Sequence, residues 1–146
     1  MSRLKRLERF ATYRERGVVR IRSPDPNLAR DLAFESERKY ASLEECRRVI
    51  GIKDSNANDF IESSYDVLLF AIRSHLSARG YSTSGVGAHE AEVSFARELG
   101  IEEDDVRFLD ELRGYRNRML YSGVRFDATY AKEVYAFMER VRSHMG

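Results

Sequence analysis

Nine of the thirteen residues from Phe60 to Ile72 are apolar. Wound at about 100° per residue, they cover more than one face of a helix. A helix apolar nearly all round needs neighbours on several sides, so this stretch predicts a central helix running on to Ser77 and stopped by Gly80. The rest of the chain has to supply its cover. At 146 residues, with 42% apolar residues and two prolines, there is material for one compact core and not for two. Ala, Leu, Glu and Arg dominate, and β-branched runs are rare outside Val18, Val19 and Ile21. The covering elements are therefore expected to be helices.

Their boundaries are marked by local chemistry. Leu4, Leu7, Phe10 and Ala11 stand at helical spacing among Lys and Arg, so residues 2 to 15 predict a short basic amphipathic helix, ended by Gly17. Val18 to Arg22 has no evident strand partner and is taken as a connector. In Ser-Pro-Asp-Pro-Asn, residues 23 to 27, Asp25 is placed to cap and Pro26 to fill the first turn of a helix. Leu28, Leu32, Ala33, Tyr40, Leu43, Val49 and Ile50 carry that helix over about 27 to 50. Asp54, Asn56 and Asn58 offer the next cap. Tyr81 to Gly87 is read as a flexible connection, since it lacks the Lys-Ser/Thr ending of a phosphate loop and follows a helix. A short helix over Ala88 to Leu99 turns Ala91, Phe95, Ala96 and Leu99 inward. His89-Glu90 lacks the second histidine of a zinc-protease helix, so His89 is expected to make local hydrogen bonds and no metal is expected. Glu102 to Asp105 open the next helix, Gly123 closes it, and Asp127 caps the last, with Tyr130, Ala131, Val134, Phe137, Met138, Val141 and Met145 inward. The expected fold is all-α: an up-and-down bundle of four to five helices over residues 23–146, preceded by a basic N-terminal helical arm, residues 1–22.

Charged residues make up 34% of the chain and nearly cancel to +1. Their distribution is uneven. Residues 1 to 22 hold seven Arg and one Lys against Glu8 and Glu15, a net +6, which leaves the remainder at −5. Such an arm suits nucleic acid, or its own acidic body. Cys46 is the only cysteine, which rules out an intrachain disulfide and a cysteine-rich metal site, and its helical register predicts burial. The N-terminus has no signal-peptide apolar region and no apolar run is long enough to span a bilayer, so a cytoplasmic protein without membrane partners is expected.

One charge sits where folding alone does not call for it. A helix over Val106 to Tyr121 gathers Val106, Leu109, Leu112, Met119 and Leu120 on one face, and Arg116 falls near the middle of that face. It must meet an acid, carbonyls, water in a cleft or a ligand anion. A structural ion pair is the plainest outcome. Asn117 and Tyr121, four apart, lie within about 40° of each other on the adjoining edge, while Arg116 is about 140° from Tyr121. Arginine, amide and phenol suit a phosphate or a nucleotide edge, and Arg113 and Arg118 add charge beside them.

Three segments, SSYDVLLFAIRSHLSARGYS (63 to 82), HEAEVSFARELGI (89 to 101) and LRGYRNRMLYSG (112 to 123), in that order, resemble a HEPN domain, the helical-bundle family named for nucleotide-binding domains of higher eukaryotes and prokaryotes. The lead-in over residues 17 to 43 is similar to the first helix of small prokaryotic members. The resemblance implies a homodimer, without a cofactor, whose hallmark is an arginine, a polar residue, and a histidine four to six residues on; in active members these form a metal-independent ribonuclease site at the dimer cleft. Arg116 and Asn117 match the first two positions, and Tyr121 stands where the histidine would be. A phenol with an unperturbed pKa near 10 is a poor general base, and loss of acid–base assistance forfeits roughly 10²- to 10⁴-fold in rate. The resemblance also implies, for some members, a minimal nucleotidyltransferase partner in a toxin–antitoxin pair, with a tyrosine near the hallmark as adenylyl acceptor. By its position in the helix Tyr121 is the candidate acceptor here, and the family's own tyrosine position holds Gly123.

Three functions follow as expectations. One is a cleft around Arg116, Arg113 and Arg118 that binds RNA or a nucleotide with weak or no catalysis. Another is an endoribonuclease in which Arg116 stabilises the phosphorane, Asn117 orients the phosphate or ribose and Tyr121 donates the proton. The third is an interaction partner of the nucleotidyltransferase.

Overall fold

The computed structural model describes residues 6–145. In chain order the elements are α1 (Phe10–Glu15), β1 (Val19–Ile21), α2 (Pro26–Val49), α3 (Ala57–Ala78), β2 (Tyr81–Thr83), α4 (Ala88–Ser94), α5 (Glu103–Ser122) and α6 (Ala128–Met145), with 3-10 turns at Asp54–Asn56 and Phe95–Leu99. The fold is an all-α bundle whose four long helices are α2, α3, α5 and α6. Helix α3 runs through its middle, with Ala57, Val67, Leu68 and Ile72 fully buried, and it packs against α2, α6, α5 and α4. That arrangement follows from a helix with too much apolar surface for one neighbour to cover.

Capping chemistry sets the starts. Asp25 accepts the Leu28 N–H at 3.0 Å and Pro26 opens α2. Asp127 accepts the Tyr130 N–H at 2.9 Å, and Asp54, from the turn before α3, accepts the Ala128 N–H at 2.8 Å. Asn58 caps nothing; its amide donates to the Val124 carbonyl at 2.8 Å and its oxygen accepts the Phe126 N–H at 2.9 Å, tying the α5–α6 connection to α3.

Several expectations are corrected. Val18 to Arg22 is no mere connector, because β1 pairs antiparallel with β2, Val19 opposite Thr83 and Ile21 opposite Tyr81. The partner strand lies sixty residues on in a polar, small-residue segment with no strand periodicity, which hides it from a reading along the chain. Gly80 makes the ribbon possible: at φ +80° it passes so close to Arg22 that a β-carbon there would lie 2.3 Å from the Arg22 carbonyl oxygen. Residues 6–9 are not helical and α1 starts only at Phe10, while the first part of the expected helix, residues 2–5, lies outside the described residues. Residues 6–22 fold onto the bundle, with Phe10, Tyr13 and Val19 buried in the common core. Cys46 is exposed. Ala33, Val49 and Ile50 also face solvent, because the buried row of α2 is Ala29, Ser36 and Leu43. No helix among the described residues is long and apolar enough to cross a membrane.

Candidate functional site

Helix α5 buries Val106, Leu109, Leu112 and Met119 in succession, and Arg116 occupies the place in that row where one more apolar side chain would stand. The guanidinium is accommodated by what α3 presents opposite. Its Nη1 lies 3.1 Å from Asp66 Oδ1, its carbon stands 5.6 Å from the centre of the Tyr65 ring, and a third of the side chain remains exposed. It is thus paired within its own chain and still open to solvent on one side. The surroundings are acidic, since Glu62 stands near Asp66 on α3. Burial and the charge of Asp59 push the Glu62 carboxyl up, Arg116 opposes that, and Asp66 adds to it.

Arg113, one turn earlier, is more committed. Its Nε donates to Asp110 at 2.8 Å, its Nη1 lies 3.2 Å from Glu90 of α4, and only 18% of the side chain is exposed. Burial pulls its pKa down, and the hydrogen bond and charge of Asp110, with the charge of Glu90, more than reverse this. The Tyr65 hydroxyl, whose ring lies under Arg116, is buried and without a hydrogen-bond partner among the described residues. Burial, reinforced by the charge of Glu92, holds that phenol neutral.

Asn117, Arg118 and Tyr121 lie on the outer surface instead. Arg118 stands over the Tyr115 ring at 4.6 Å and Tyr121 is 87% exposed. Leu120, expected inward, is 66% exposed, although Met119 beside it is buried. Of the five candidate residues, the structure therefore sets Arg116 and Arg113 along the polar seam with α3 and α4. Asn117, Arg118 and Tyr121 form a separate outward edge around the helix from Arg116.

Sequence reasoning missed Asp66, and the signal was there. Asp66 is a carboxylate in the helix apolar nearly all round, as anomalous in α3 as Arg116 is in α5. Also missed is a hollow of about 520 Å³, which lies away from Arg116 between α2, the end of α3, the ribbon and α4. Leu28, Leu32 and Leu76 line it along with Arg22, Arg73 and His89. Its chief charge is already spent internally, for Arg73 clasps the buried Glu92, and His89 Nδ1 stands 3.4 Å from the same carboxylate. Among the described residues no three His, Cys, Asp or Glu side chains are grouped as a metal ion requires. In comparison with known proteins the chain has no significant match to any family model, curated protein or solved structure.

Proposed function

We infer that the chain acts as a HEPN-like homodimer that holds RNA or a nucleotide at Arg116 and cleaves it weakly or not at all. The observation that carries this reading is the state of Arg116: a guanidinium on an otherwise buried row, held in place by Asp66 and the Tyr65 ring, with a third of its surface still open. Water at that opening spares the guanidinium part of its desolvation cost and is what a ligand anion would displace. An open, oriented guanidinium keeps N–H donors for a phosphate oxygen. Support for a second copy comes from the end of α5, where Leu120, Tyr121 and Val124 leave apolar surface uncovered past the arginine along the chain. Weak catalysis follows from Tyr121, whose phenol replaces an imidazole and lies about 140° around the helix from Arg116.

The test is titration of the full chain with a labelled single-stranded oligoribonucleotide at several salt concentrations. Arg116→Ala is expected to weaken binding about 10- to 100-fold, the worth of a charge-assisted hydrogen bond, and to make the salt dependence shallower. The RNA is expected to be recovered intact after long incubation. Wild-type affinity in Arg116→Ala would sink the reading. Cleavage that leaves a 2′,3′-cyclic phosphate without added metal, and that is lost in this variant, would replace binding by catalysis.

A further inference from the structure

The basic arm is held down by apolar contacts and leaves its charges outward. Phe10 and Tyr13 are buried, and Arg97 donates to the Glu8 and Leu7 carbonyls at 2.7 and 3.3 Å. Among the described residues the arm's one ion pair, Arg16 with Glu8 at 4.0 Å, lies within the arm itself. Of the described arm arginines, Arg6 feels the charge of Glu103 on the body, whereas Arg14 forms no ion pair with a described carboxylate there.

Two arginines come together at its edge. Arg14 of α1 places its guanidinium carbon 5.4 Å from the centre of the Tyr81 ring, and Arg79, which closes α3, places its own 5.1 Å from the centre of the Phe95 ring. Both line one hollow of about 360 Å³. Its floor is an aromatic trio: Phe10 lies 5.2 Å from Tyr81 and 4.9 Å from Phe95, and Tyr81 lies 6.0 Å from Phe95. Glu98 also lines the hollow, yet neither arginine forms an ion pair with it or with any other described carboxylate. A guanidinium stacked on a ring is already oriented, and its N–H donors point out from the ring edge. Two of them at one hollow match the oxygens of a phosphate.

We propose that Arg14 and Arg79, over the Phe10, Tyr81 and Phe95 floor, form a phosphate-recognition site distinct from Arg116, and that it takes a backbone phosphate of single-stranded RNA. The choice of RNA over a free phosphate rests on the functional reading above; the oxyanion chemistry does not. Arg79 lies thirteen residues beyond Asp66, the partner of Arg116, on the same helix. That is about 20 Å along its axis and about 140° around it, so the two sites do not share a face of α3 and count as separate contacts.

The experiment uses the full chain and the same labelled oligoribonucleotide, titrated between about 50 and 200 mM salt. In Arg14→Gln/Arg79→Gln, with the fold verified by circular dichroism, affinity is expected to fall. The slope of log affinity against log salt is expected to become shallower by about 1.4, two contacts at about 0.7 each. Arg14→Lys/Arg79→Lys, which keeps the charge and loses the fork, is expected to recover only part of the affinity. Unchanged affinity and slope in the glutamine variant would overturn the proposal, and full recovery with lysine would reduce the site to diffuse charge. Arg116→Ala measured alongside separates the two sites. Loss there with none in the glutamine variant removes this site alone, and the reverse removes the Arg116 reading alone. Orthophosphate titrated against the Arg14 and Arg79 side-chain NMR signals tests the other source: binding of orthophosphate without RNA overturns the strand assignment, and binding of neither overturns the whole.

Discussion

Asp66 limits what Arg116 can do. Because the pair is one-third exposed on the arginine side, its contribution to stability is expected to be about 0–1 kcal/mol, whereas its effect on an incoming anion is direct. A phosphate must compete with the carboxylate at 3.1 Å, and Glu62 adds to the repulsion. Asp66→Asn is therefore expected to raise RNA affinity severalfold while the thermal midpoint moves little; lower affinity in that variant would mean that Asp66 positions Arg116 and does not restrain it. The same reasoning that singles out Arg116 in the sequence applies to Asp66, an acid in the most apolar helix of the chain. What no sequence pattern reveals is that the two lie side by side. Arg113 illustrates the converse, a candidate by its nearness to Arg116 whose charge Asp110 and Glu90 already match.

The long helices are readable because their ends are written within a few residues. Asp25 with Pro26 opens α2, acidic residues open α5, Gly123 in the left-handed region closes it, and Asp127 opens α6. Connections were harder to read, because their hydrogen bonds come from distant segments. Asn58 looked like a cap and instead holds the α5–α6 loop, above which Tyr115, Phe126 and Tyr130 pack together. Burial pushes the Tyr130 hydroxyl up to about 12, and the charge of Tyr115 adds to it, so that phenol stays uncharged. Asn58→Ala removes two hydrogen bonds at once and is expected to destabilise the fold by about 1–3 kcal/mol, with faster amide exchange at Val124 to Phe126. Unchanged exchange there would show that the aromatic cluster alone holds the loop.

The arm and the bundle share one core. Deleting residues 1–22 strips out Phe10, Tyr13 and Val19 and leaves β2 without its partner. At about 1.5–3 kcal/mol per large buried side chain the loss is roughly 5 kcal/mol, comparable with the whole stability of a small domain. A chain beginning at Ser23 is therefore expected to show a collapsed or strongly lowered urea midpoint; a midpoint like that of the full chain would make the arm an appendage. Where helices lie, and that they form one bundle, could be read from order along the chain, because periodicity, capping and glycine act over one or two turns. Which arginines keep their charge for a partner could not be read that way. Asp66, Glu90 and the ring of Tyr81 reach Arg116, Arg113 and Arg14 from other segments, and electrostatic energy depends on separation in space, which folding sets.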